Sequence, residues 1–330
     1  MGQGINKEEL HMSIFDAIIQ GIVQGLTEFL PVSSSGHLAI SQHVLGVEES
    51  NLFFNVMLHV GTLLAVIAVY YKLIGRLFVA FFTMVKDIVT GKYKWSKMTD
   101  DQNLVVMLVI GLLPLFLLFV PLPFSGGLNA KDLAEIWSGK SGYLIVIGIS
   151  LLVTSTLLTL GIFANKITEK NYKDKGVIRK SGTGRHHLNV IDALSIGMAQ
   201  LFAAIFPGIS RSGSTLAVGE LRGLNKQKAL DYAFVLGIPS IIAAALLEGK
   251  DAIKEGAVTS DMILPVIVGV IVSAIVGFFA IVLFKWMLRK DRMYIFVAYT
   301  AIAGLIILII GGIELNSGVN IFTGKALEFM

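Results

Sequence analysis

Six long apolar runs dominate the chain, at about residues 52–71, 104–124, 143–163, 230–247, 262–284 and 293–313. Each is long enough to cross a hydrocarbon layer as a helix, which takes ~20 residues. The second and third contain no Asp, Glu, Lys, Arg or His at all. Two shorter apolar stretches, 12–31 and 190–206, run into clusters of Pro, Ser and Gly before they could span. The pattern predicts an all-α integral membrane protein with six full spans and two broken segments. Composition agrees, with 55% hydrophobic and 15% charged residues and a mean hydropathy of +0.76. The polar residues 1–11 read as a leader, with the native pattern starting at Met12.

Sliding the sequence on itself reveals a repeat. At a constant offset of 176, Asp16 meets Asp192, Ala17 meets Ala193, Gly21 meets Gly197, Gln24 meets Gln200, Pro31 meets Pro207 and Gly61 meets Gly237. The chain therefore divides into repeat 1 (12–163), a basic linker (164–189) and repeat 2 (190–330), each repeat being a broken segment followed by three spans. Charge sets the orientation. Six Lys/Arg fall in 72–103, seven in 164–189 and four in 285–292, against two each in 125–142 and 248–261. Basic loops stay cytoplasmic, so the span at 52–71 runs inward while its counterpart at 230–247 runs outward. The repeats are inverted, and each broken segment enters and leaves on one side, as a helix-break-helix hairpin or as two crossings. In inverted-repeat proteins such breaks gather near the midplane and form the binding site, so FLPVSSSGHL (Phe29 to Leu38) and FPGISRSGST (Phe206 to Thr215) are expected to face each other.

The second break reads as an anion cradle. Gly208 and Gly213 allow close backbone approach; Ser210, Ser212, Ser214 and Thr215 supply hydroxyls; Arg211 supplies a planar fork of donors for phosphate oxygens. The helix restarting there aims free N–H groups at the loop, and an arginine at this depth is a functional candidate. The first break carries reactive groups: Ser33, Ser34, Ser35 and His37, with Glu28 one turn before Pro31 and Gln24 on the same helical face. Phosphate hydrolysis needs these parts, a nucleophile, a proton acceptor and positive charge for developing oxyanions. Gln24 and Glu28 with phosphate oxygens and waters would hold Mg²⁺ or Ca²⁺. Zinc is disfavoured because His37 has no second histidine at ligand spacing. Zero cysteines exclude thiol chemistry and disulfides. The basic 164–189 stretch lacks aromatic interleaving and reads as a topogenic loop, which excludes nucleic acid as a partner. Arg222 is expected to pair with Glu220.

QGLTEFLPVSSSGH (Gln24 to His37) and PGISRSGST (Pro207 to Thr215) resemble the two signature motifs of the undecaprenyl-pyrophosphate phosphatases, also called bacitracin-resistance proteins, and the similarity extends from about Ser13 to the last span. The resemblance implies six spans with two re-entrant hairpins, and a plasma-membrane enzyme that removes the terminal phosphate of a polyprenyl diphosphate at a site opening to the outer face. It implies Glu28, Ser34, His37 and Arg211 as catalytic residues, with Ser34 or His37 as nucleophile. Ser35, Gly208, Ser210, Arg211, Ser212, Gly213 and Thr215 would hold phosphate, and Gln24 with Glu28 the divalent cation. The expected partners are the lipid substrate and membrane lipids, with a homodimer as the assembly allowed for. Two departures stand out: Gln24 replaces a Glu, and His59 stands where relatives are expected to carry Gln. A lipid transporter built on the same scaffold is the alternative. The phosphatidic-acid type of membrane phosphatase also has an SGH triplet, but the histidine it needs after the motif arginine is Ala217 here.

Overall fold

The computed structural model describes residues 13–45, 52–123, 127–139, 143–175, 183–254 and 262–327, so the leader 1–11 lies outside the described residues. Among them regular structure is entirely helical, in the order α1 (Ile14–Phe29), α2 (Ser34–Leu45), α3 (Leu52–Val89), α4 (Asp100–Leu112), α5 (Ala130–Gly139), α6 (Leu144–Asp174), α7 (Val190–Ile205), α8 (Arg211–Leu221), α9 (Lys226–Lys254), α10 (Ile263–Arg289) and α11 (Tyr294–Ser317). Six helices are long and apolar enough to span a membrane, and they coincide with the six runs. One of them is irregular. After Leu112, α4 tightens into a 3-10 segment, Leu113–Phe119, because Pro114 cannot donate the helical hydrogen bond.

The helices outrun the apolar runs. α3 is 38 residues long, or about 57 Å at the α-helical rise, and its first brake is Gly91, in the left-handed region at φ 69°. α6 continues to Asp174. The linker expected to begin at 164 is therefore helical over its first eleven positions, since no proline or glycine interrupts NKITEKNYKD. An exposed helix can carry this polar stretch as an extension of the span.

The offset of 176 holds in three dimensions. α1 and α7 have matching bounds and the same start. The Ser13 side chain accepts the Asp16 N–H, and the Asn189 side chain accepts the Asp192 N–H, each within a full capping box. Both broken segments fold as antiparallel hairpins. In the first, Ser34 meets Glu28 and Gln42 meets Gln20; in the second, Ser214 meets Ala199 and Arg222 meets Asp192. None of α1, α2, α7 or α8 exceeds 16 residues, short of the ~20 a span requires.

Spans at equivalent positions of the sequence repeat cross antiparallel. α6 and α11, the third spans of the two repeats, run antiparallel. Ile145 lies against Gly311, Gly148 against Leu308 and Gly304, and Ser155 donates to the Val297 carbonyl at 2.9 Å. α3 and α9, the first spans, are also antiparallel, with Tyr70 bonded to Asp231 near one end and Phe53 sharing a groove with Gly249 near the other. Copies related by a two-fold axis across the helices must cross this way.

Lipid offers no hydrophobic drive for helix pairing, so close van der Waals contact through small residues does that work. α1 lies along α10 with Gly21 against Gly269 and Gly25 against Ser273. A Cβ on Gly61 would fall 2.0 Å from the Ser273 hydroxyl. The buried core runs through the middle of the bundle and includes Phe29, Val66, Tyr70, Leu216, Phe234 and Phe284.

Candidate active site

The two breaks meet. A Cβ on Gly36 would lie 3.0 Å from Gly208 Cα, one on Gly213 would lie 3.0 Å from the Pro31 ring, and the Ser212 hydroxyl donates to the Leu30 carbonyl at 3.1 Å. α2 and α8 both begin here, so two helix N-termini bring unpaired N–H groups and partial positive charge to one place.

At the centre is Glu28, 4% exposed. Ser34 Oγ donates to its Oε2 at 2.6 Å, and Gln24 Nε2 donates to the same oxygen at 2.9 Å. Arg211 Nη2 forms an ion pair with Oε1, while Arg211 Nη1 makes only long bonds, 3.4 Å each, to the Gly237 carbonyl and the Ser240 hydroxyl. His59 Nε2 stands 3.7 Å from Oε2, and its Nδ1 donates to the Asn55 carbonyl at 2.8 Å. One carboxylate thus collects a guanidinium, an imidazole, an amide and a hydroxyl. The half-buried arginine has an acidic partner, as an arginine among apolar helices requires.

The imidazole of His37 faces elsewhere. Nδ1 is 2.8 Å from the Ser33 carbonyl and Nε2 is 2.7 Å from the Tyr299 hydroxyl. A carbonyl only accepts, so Nδ1 carries a proton, and in the neutral ring Nε2 is the acceptor. Ser33 holds this turn at φ 73°, one of two non-glycine residues with positive φ among those described. Its hydroxyl accepts the Gly36 N–H at 3.3 Å and stands 3.4 Å from the Ser35 hydroxyl. Strained backbone of this kind clusters at functional sites.

The serines and threonine of the second break are largely engaged by backbone. Ser210 caps α8 by accepting the Gly213 N–H at 3.1 Å, and Thr215 donates to the Arg211 carbonyl at 2.7 Å. Gly208 has φ 102°, and a Cβ there would sit 2.7 Å from the Ile147 carbonyl. Thr154, which sequence reasoning passed over, pins the loop: its hydroxyl donates to the Gly208 carbonyl at 3.0 Å and accepts the Ser210 N–H at 2.9 Å. Tyr299, Ser240 and Gly237 were also unselected. Only Gly237 left a signal, as the repeat partner of Gly61, and its missing side chain admits the Arg211 guanidinium.

The expected Glu220–Arg222 pairing is corrected. Arg222 Nε bonds Asp192 Oδ1 at 3.0 Å, and Arg185 takes both Asp192 oxygens at 2.8 and 2.9 Å. The α7–α8 hairpin places Asp192 opposite Arg222, and a fully buried carboxylate attracts the nearest cations.

For a divalent cation, the donors available are the Glu28 carboxylate and Gln24 Oε1, which is buried without a hydrogen-bond partner. These are the oxygen donors that Mg²⁺ and Ca²⁺ take, and both Glu28 oxygens are engaged here, by Arg211 and by Ser34 and Gln24. Among the described residues no group of three or more His, Cys, Asp or Glu side chains is arranged to hold a metal.

The model of the bacitracin resistance protein BacA family matches residues 17–306. An undecaprenyl-diphosphatase of Alkaliphilus metalliredigens is 38% identical over 304 residues, covering 90% of this chain and 98% of that one. The proteins of the same name from Bacteroides fragilis and Methanobrevibacter smithii are 34% and 36% identical, covering 92% and 90% of this chain and 100% and 97% of theirs. Both break motifs, with Glu28 and Arg211 between them, fall inside the matched region, and the chain belongs to the bacitracin resistance protein BacA family.

Proposed function

We propose that this protein hydrolyses undecaprenyl diphosphate to the monophosphate and inorganic phosphate, and so recycles a lipid carrier of cell-wall synthesis. The observation that carries the reading is Ser34 Oγ at 2.6 Å from a buried carboxylate whose other oxygen is held by Arg211. A hydroxyl becomes nucleophilic when a base takes its proton, and phosphoryl transfer is mainly positioning and charge neutralisation.

In this scheme the diphosphate binds Arg211 and the N–H groups at the starts of α8 and α2, with Ser35, Ser212 and the backbone around Gly208 and Gly213 shaping the cradle. Ser210 and Thr215 serve by fixing that backbone. Phosphate oxygens compete with Glu28 for the guanidinium, and a carboxylate relieved of its counter-ion is a stronger base. Ser34 Oγ then bonds the terminal phosphorus as the bond to the bridging oxygen breaks. Its proton passes to Glu28, and the lipid monophosphate leaves. In the second half, water attacks the phosphoserine, His37 Nε2 accepts the water proton, and Glu28 returns its proton to Ser34 Oγ as inorganic phosphate departs. His37 serves as base because its Nδ1 is committed to the Ser33 carbonyl. The alternative role for Glu28 is to hold, with Gln24, a Mg²⁺ or Ca²⁺ ion, which when bound would neutralise phosphate charge; the carboxylate would then not be the base for Ser34.

The protein is a multi-pass membrane protein. The proposal places it in the plasma membrane, with two re-entrant hairpins and a site opening to the outer face. Phosphate release from a prenyl diphosphate by the purified protein in detergent tests the reading. A lipid transporter without hydrolytic activity would release none.

A further inference from the structure

We propose that Tyr299 is the positioning residue for His37, contributed by repeat 2 to the catalytic break of repeat 1. The inference rests on the reading of His37 as the base of the second half-reaction. Three observations carry it. The Tyr299 hydroxyl lies 2.7 Å from His37 Nε2. The two rings stack at 5.6 Å between centroids with 17° between planes. The Ser33 carbonyl at 2.8 Å requires the proton on Nδ1, so the tyrosine O–H must donate to Nε2. Ring and tautomer are then both fixed, with the Nε2 lone pair held on the Tyr299 hydroxyl until water arrives. When water enters, the Tyr299 O–H yields Nε2 to it and remains beside it as a second partner. Tyr299 is separated from His37 by 262 positions, and the inverted repeats bring α11 to the mouth of the first hairpin.

The test is a double-mutant cycle on the full-length protein in detergent, with phosphate release from a C15 prenyl diphosphate as readout. Tyr299→Phe keeps the stacked ring and removes only the hydroxyl. It is expected to lower kcat about tenfold, the scale of one lost hydrogen bond, with KM little changed, and to have no further effect in a His37→Ala background. An unchanged kcat for Y299F, or an equal fall with and without His37, overturns the proposal. Should Y299F fail to fold, ¹⁵N NMR of the histidine rings in the wild-type protein decides, His37 being identified by its loss in H37A: an unprotonated Nε2 with the shift of a hydrogen-bonded acceptor supports the proposal, and a protonated Nε2 or one with the shift of a free lone pair overturns it. If the wild-type protein releases no phosphate, the functional reading fails. Release combined with an additive cycle overturns only the role of Tyr299.

Discussion

At the scale of single residues, two side chains separate the proposed chemistry from mere binding. Ser34→Ala removes the hydroxyl that faces Glu28 and should lower kcat on the order of a thousandfold or more with KM nearly unchanged, because the lost interaction belongs to the transition state. The check is a quenched-flow search for an acid-stable phosphoserine, expected in wild type and absent in S34A. Arg211→Lys keeps the charge but loses the planar fork that joins Glu28 to phosphate. It should cost roughly 10²–10³ in kcat/KM, measured by phosphate release at substrate concentrations below KM. Glu28, Ser34 and Arg211 were legible in the sequence because ionisable and hydroxyl groups stand out against an apolar background. The roles of Ser210 and Thr215 were harder to read, since a helix-capping hydroxyl and a ligand hydroxyl have the same residue code, and only geometry shows which N–H or carbonyl they meet. Thr154 and Tyr299 gave no sign, being a threonine and a tyrosine on apolar spans whose partners lie 54 and 262 positions away.

At the scale of elements, the site depends on two hairpin tips pressed together with almost no side chain between them. Gly208 is the strictest point, since its φ of 102° disfavours any L side chain and the Ile147 carbonyl occupies the space a Cβ would take. Gly208→Ala should cost about 1–3 kcal/mol from backbone strain alone, lowering the melting temperature in detergent by roughly 1–4 °C, and should reduce activity by displacing Arg211. Gly249→Ala is the control: its Cβ would meet nothing within 4 Å, so thermal stability should hold. An equal loss for both variants would show that the tip packing is not what limits stability. The hairpin breaks were readable from their Pro, Ser and Gly clusters. The lengths of α3 and α6 were not, because hydropathy marks where lipid ends, whereas these helices run on through polar residues to Val89 and Asp174.

For the molecule as a whole, the two repeats share a backbone plan but not a chemistry. The offset that superposes the hairpins pairs Ser35 with Arg211 and Glu28 with Ala204, so the carboxylate and the guanidinium of the central ion pair come from different halves. The arrangement works only if equivalent helices cross the membrane in opposite directions, letting one tip approach from each face and meet at the centre. The antiparallel crossings of α3 with α9 and of α6 with α11 require this whatever the orientation in the bilayer, and the excess of Lys and Arg in 72–103 and 285–292 is the basis for expecting those ends on the cytoplasmic side. The absence of cysteine makes a direct test clean. Single cysteines at Lys92→Cys, just past the end of α3, and at Lys250→Cys, near the end of α9, occupy the finishing ends of equivalent spans. A membrane-impermeant maleimide applied to intact cells should label K250C and leave K92C unlabelled until the membrane is permeabilised. Lys290→Cys and Val319→Cys flank α11 and should divide the same way, with V319C labelled from outside and K290C protected. Labelling of K92C and K250C from one side would mean that the halves insert in parallel. The tips holding Glu28 and Arg211 could not then approach from opposite faces, and the shared phosphate site would have to be abandoned.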